Sequence, residues 1–224
     1  MTDTIVSIHQ PAYLPWLGYL DRIARSDVFV FLDSVQFQKN SFQNRNRIRT
    51  AQGDTWLTVP VMSRGHTDST LEHLAINNSA NWQKKHLKTI EQSYRSTAGF
   101  SAVMEWLGSF YETQWEKLAD LCWEMLAAHL KATGITTRVV RSSTLSGLSG
   151  TKGDLVLDIV RKMGGTRYLS GPLGLDYLEP EKFKDAGIDL DVHRFEHPVY
   201  VQTHSPFIPN MAAIDRLMCE GAPT

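Results

Sequence analysis

Two short runs rich in β-branched and aromatic residues, Ile5-Val-Ser-Ile-His9 and Val28-Phe-Val-Phe-Leu32, flank a Pro-bounded aromatic turn and one amphipathic helical segment. A strand, a helix and a strand in that order need a crossover connection, which makes the two strands parallel neighbours in one sheet. His9 and Gln10 then lie at the carboxyl end of the first strand, facing the start of the helix. Open α/β sheets bind ligands at that edge. The turn itself, Pro11-Ala-Tyr13-Leu-Pro15-Trp16-Leu-Gly18-Tyr19, carries aromatic side chains where small polar residues would suffice. Tyr13, Trp16 and Tyr19 are therefore candidates for stacking on a ligand.

The remainder of the chain repeats the strand, loop, helix, strand order. A Gln52-Gly-Asp54 break separates two β runs that contain Ile48 and Trp56, which predicts a hairpin. Helices are predicted over 81–94, where Trp82, Ile90 and Tyr94 form one stripe, then over 101–111 and 114–132, the last closed by Gly134. β-like residues 136–142, a helix over 155–163, a strand at 167–169, a helical turn at 180–185 and a strand over 188–195 follow. The expected architecture is α/β, with a central, mainly parallel sheet in a Rossmann-like or nucleotidyltransferase-like three-layer arrangement. We expect a single domain spanning 1–224, with a helical insertion or subdomain at about 79–133.

At 224 residues the chain can bury a proper core, and a formal charge of −1 provides no field for a polyanion. Nucleic acid is accordingly not an expected partner. No apolar run approaches the ~20 residues that cross a bilayer, and only two cysteines occur, so a reduced, cytoplasmic protein without membrane contact is expected. His193-Arg-Phe-Glu-His197 matches the inverted zinc-protease motif, which works on a helix. Here alternation before it and Pro198 after it predict a strand ending at His197, with the imidazoles ~13 Å apart. No metal site is expected.

The segments His9-Gln10-Pro11-x-Tyr13-Leu14-Pro15-Trp16-x-Gly18-Tyr19, Gln36-Phe37, Gln43-Asn44-Arg45-Asn46, Trp56-Leu-Thr-Val-Pro60, Tyr168-Leu-Ser170-Gly171 and His197-Pro198-x-Tyr200-x-Gln202 resemble the WbqC-like family over nearly the whole chain. That resemblance implies a bacterial biosynthetic enzyme linked to surface-polysaccharide (O-antigen, lipopolysaccharide) or natural-product pathways. A looser resemblance is to adenylyl-transferring enzymes of the pantothenate synthetase and cytidylyltransferase type, which also place a His-bearing turn after the first strand. Their His-x-Gly-His pattern is not present here.

The expected activity is transfer of an activated acyl, aminoacyl or similar group to an amino- or hydroxy-bearing acceptor such as a nucleotide-linked sugar. The alternatives are an ATP-dependent nucleotidyltransferase or ligase, and a non-catalytic binding protein for a polysaccharide precursor. Candidate co-reactants are ATP with magnesium or an acyl-carrier thioester. His9, Asp33 and His197 are the candidate catalytic residues, since an imidazole exchanges protons near neutrality and a carboxylate can orient it. Gln10, Tyr13, Trp16, Tyr19, Gln36, Asn44, Arg45, Asn46, Ser170, Gly171, Tyr200 and Gln202 are candidates for substrate binding. Among them, Arg45 is suited to gripping a phosphate or carboxylate with its planar fork. Alternation places Arg45, Arg47 and Arg49 on one strand face and Asn44 and Asn46 on the other; Arg49 is expected to be solvated.

Overall fold

The computed structural model describes residues 3–62 and 70–221. In chain order the elements are β1 (Ile5–His9), α1 (Leu17–Ala24), β2 (Val28–Phe31), β3 (Arg45–Thr50), β4 (Gly53–Thr58), α2 (Trp82–Tyr94), α3 (Phe100–Glu112), α4 (Leu118–Ala132), β5 (Arg138–Arg141), α5 (Gly153–Lys162), β6 (Arg167–Ser170), α6 (Pro180–Asp185), β7 (Asp189–Val192) and α7 (Ala213–Glu220). They fall into two compact units. One takes the chain up to Gln10, then Gly18–Ser34 and Ile135–Glu196; the other takes Pro11–Leu17, Val35–Gly134 and the chain from His197.

The first unit is a five-stranded, wholly parallel sheet in the order β5-β2-β1-β6-β7, with the Rossmann-like α/β architecture. Right-handed crossovers place α1, which carries the chain from β1 towards β2, on one face. The same rule places α5 and α6, which carry it the opposite way, on the other. Burial explains the strand sequences. β2 is apolar throughout because both its faces are covered, and all four of its residues are buried. Gly165 lies so close under β1 that a Cβ there would sit 2.7 Å from Val6 Cγ2.

β7 ends at Val192, short of the strand expected to reach His197. His193 still donates its backbone N–H to Ser170 O at 2.8 Å, but its ring turns away to Asp21, with Nε2 and Oδ2 2.7 Å apart. The two histidines of the zinc-like motif lie in different units, and among the described residues no cluster of three or more His, Cys, Asp or Glu is placed to hold a metal. No helix among the described residues is long and apolar enough to cross a membrane.

The second unit combines the β3–β4 hairpin, antiparallel in the register Arg45↔Thr58 to Thr50↔Gly53, with α2, α3, α4 and α7. Helix α4 starts at Leu118, later than the pattern suggested. Trp115 folds back to stack on Phe110 and donates its indole N–H to the Phe110 carbonyl at 2.9 Å, which keeps the preceding residues out of the helix. Arg49 corrects the solvated-edge expectation. It is 2% exposed, and its guanidinium donates to the carbonyls of Thr50, Gly53 and Pro206.

Candidate active site at the carboxyl edge of the parallel sheet

In the first unit the strand order reverses at β1, since β2 and β5 lie to one side of it and β6 and β7 to the other. The β1–β2 pairing continues to His9↔Phe31, whereas the β1–β6 register covers Ile5↔Arg167 and Val6↔Tyr168. β1 and β6 therefore stop pairing short of their carboxyl ends, at the topological switch point, whose crevice is where open α/β sheets take ligands. His9 ends one wall, and Ser170 and Gly171 end the other.

His9 Nδ1 is 2.8 Å from the Gln10 carbonyl, which also accepts the Tyr19 hydroxyl at 3.3 Å. A carbonyl only accepts, so Nδ1 carries the proton and Nε2 is the basic nitrogen. The Tyr19 ring packs edge-on against the imidazole at 4.9 Å. Burial, and then the positive charge of Arg22, push the His9 pKa down to about 3. The ring is thus neutral at physiological pH.

Arg22, which the sequence reading did not single out, lies beside Gly171 and close enough to His9 to act on its charge. It occupies the buried stripe of α1 with Gly18, Tyr19 and Ile23, and is 5% exposed. Its Nε is buried without a hydrogen-bond partner. Burial pulls its pKa down, and the side chains beside it include the phenols of Tyr168, Tyr19 and Tyr177, which are neutral at physiological pH. A side chain at Gly171 would place Cβ 2.5 Å from Arg22 Nη1, so the glycine makes room for the guanidinium. The Tyr168 hydroxyl bonds to that of Tyr177, and Tyr177 is 45% exposed, which opens the cluster to solvent. Gly174 is needed for the same wall, because a Cβ there would fall on Ser170 Oγ. The available signal was a charged residue at a position where the i, i+3, i+4 stripe calls for an apolar one.

Other candidates are placed differently. Asp33, fully buried, accepts from Arg141 Nε (2.7 Å), Ser142 Oγ (3.0 Å), Ser143 N (2.9 Å) and Ser143 Oγ (2.9 Å), so its carboxylate ties the ends of β2 and β5 together. In the second unit, Tyr13 is fully buried and its hydroxyl meets His86 Nδ1 (2.8 Å) and the Tyr111 hydroxyl (2.9 Å), a core position that cannot stack on a ligand. Asn44 donates to Val59 O and Asn46 to Leu14 O, serving the backbone. Gln36 is exposed and bridges to Thr70. Tyr200 and Gln202 both donate to the buried Asp215 carboxylate, at 2.7 and 2.8 Å. His197 holds Pro198 O through Nδ1 and accepts Asn210 N–H at Nε2, so the structure engages both ring nitrogens. Trp16, Phe42 and Trp56 form a chain of aromatic contacts on this unit, with the Arg45 guanidinium 4.4 Å from the Trp56 ring centre. Arg45 and Asn44 also line a shallow cavity of about 190 Å³ with Lys39 and Asn40.

The fold is that of a Rossmann-like α/β protein, and the carboxyl edge of its sheet, the candidate site, brings a neutral imidazole beside a buried guanidinium. The chain belongs to the WbqC-like protein family, whose model matches residues 10–224. Over 219 residues it is 32% identical to "Uncharacterized protein Rv1507c" of Mycobacterium tuberculosis (strain ATCC 25618 / H37Rv), covering 97% of this chain and 94% of that relative. No solved structure matches the chain.

Proposed function

We propose that the protein is a biosynthetic transferase that moves an activated acyl or aminoacyl group to an amine or hydroxyl of an acceptor such as a nucleotide-linked sugar, in the assembly of a bacterial surface polysaccharide or a natural product. The observation that carries this reading is the neutral His9 imidazole at the switch-point crevice, its Nδ1 proton donated to the Gln10 carbonyl, which makes Nε2 the basic nitrogen. In the reaction, the acceptor nitrogen or oxygen bonds to the acyl carbon as its proton passes to His9 Nε2. The bond to the donor's leaving group breaks, and the proton returns to that group. Tyr19 and Gln10 hold the ring in place.

Incubation with an acyl-carrier thioester and a nucleotide-linked amino sugar tests the reading through acceptor-dependent release of thiol. His9→Gln is expected to slow release by ~10²–10⁴ while leaving the melting temperature nearly unchanged. Near-normal turnover in that variant would remove His9 from the chemistry. Release of pyrophosphate from ATP and magnesium, without any use of thioester, would instead favour nucleotidyl transfer.

A further inference from the structure

We propose that Arg22 is the anion-binding residue of the switch-point crevice, and that its guanidinium, with the Tyr177 hydroxyl, takes a carboxylate or phosphoryl oxyanion of the substrate. The proposal rests on reading the crevice as the substrate site and adds the class of substrate it accepts.

A buried positive charge is costly unless it is paired. The carboxylates on α1 and just beyond it are engaged elsewhere: Asp21 binds Arg25 and His193, and Asp27 accepts the Ile5 backbone N–H. The described side chains coupled to Arg22 are phenols and the His9 imidazole, all neutral at physiological pH. An apolar residue would complete the α1 stripe at lower cost, so the guanidinium requires a partner from outside the chain. Three features fit an incoming oxyanion. Gly171 leaves the space in which Nη1 lies. The Tyr177 hydroxyl lies against that of Tyr168 and is a phenol that can donate to an incoming oxyanion. Tyr177, 45% exposed, gives the solvent-side approach. A guanidinium offers two parallel N–H donors, the geometry that carboxylates and phosphates accept.

Occupation of the site also changes His9. The Arg22 charge suppresses protonation of the imidazole, and an anion on Arg22 offsets that charge, so the base gains strength when substrate is present. Besides Arg22, the imidazole meets the Gln10 carbonyl and the Tyr19 ring.

Thermal melting in sodium phosphate, sodium acetate and sodium chloride at matched ionic strength provides the test, with the histidine ring signals titrated by NMR. Wild type is expected to melt higher in phosphate or acetate than in chloride, and the His9 pKa to rise with the same anion. A response to phosphate alone assigns a phosphoryl group, and a response to acetate alone a carboxylate. Arg22→Met is expected to weaken the apparent anion affinity about tenfold or more, to melt at or above wild type in chloride, and to show a raised His9 pKa without any anion. Equal anion responses in wild type and Arg22→Met, no response in wild type, or an Arg22→Met protein that melts well below wild type in chloride would each overturn the proposal. The increment is read without turnover, so its loss refutes the anion site alone. A retained increment in a protein that transfers no group refutes the transferase reading alone.

Discussion

Three arginines alternate along β3, and the sequence treats them alike; their surroundings do not. Arg45 is half-buried against the Trp56 ring, Arg47 pairs with Asp54 at 2.9 Å, and Arg49 is sealed behind three carbonyls. Alternation assigns a face, but not which end of that face another segment covers, and the Pro206 carbonyl that meets Arg49 comes from far along the chain. Urea unfolding should separate them. Arg49→Ala is expected to cost about 2–4 kcal/mol, since it leaves carbonyls unsatisfied in a buried site. Arg45→Ala forfeits mainly a partly exposed cation–π contact and should cost at most ~1 kcal/mol. Arg22 was missed for a related reason: a lone arginine on a short helix is normally solvated, and only its position in the stripe of Gly18, Tyr19 and Ile23 marks it as different.

Among the elements, β2 and β5 are held together by Asp33, which receives one charged and three neutral donors from residues 141–143. Asp33→Ala should cost about 3–5 kcal/mol by stranding Arg141 and the serine donors. At temperatures where the variant remains folded, its KM should match wild type; a catalytic carboxylate would instead lower kcat with little change in melting. The β1-α1-β2 unit was legible because β-branched runs around one amphipathic segment admit a single arrangement. The β3–β4 hairpin was legible through its Gln-Gly-Asp break. The β2–β5 pairing was not, because no local pattern names a neighbour on the far side of a long intervening segment. The end of β7 was misjudged because period-two alternation continues past Val192, while the His193 ring leaves it for Asp21. Strand-end and turn polarity in the sequence points to His9, Gln10, Tyr19, Ser170 and Gly171, which lie at the ends of β1 and β6 and on α1, whereas the Asn44 and Asn46 amides serve the Val59 and Leu14 carbonyls.

At the scale of the molecule, three histidines among the described residues are kept neutral by burial. The His9 pKa is lowered to about 3, and those of His86 and His129 to about 4. In the unfolded chain each takes a proton near pH ~6.5. Between those limits the unfolded chain binds more protons, so stability is fully present above about pH 6.5 and falls as pH drops, by up to ~1.4 kcal/mol per pH unit for each histidine. Melting temperatures measured from pH 7 to 4.5 should therefore decline before most carboxylates titrate, and His129→Gln should flatten the decline. An unchanged slope would remove His129 from the account. The two compact units also interleave along the chain, with Val35–Gly134 of the second falling between β2 and β5 of the first. During synthesis on the ribosome, β1 and β2 must wait, apolar and without their outer neighbours, until that entire stretch and then β5 and β6 have been made. The parallel sheet is thus among the last structures a nascent chain can complete, and any contiguous fragment that encodes all of it also encodes Val35–Gly134 of the second unit.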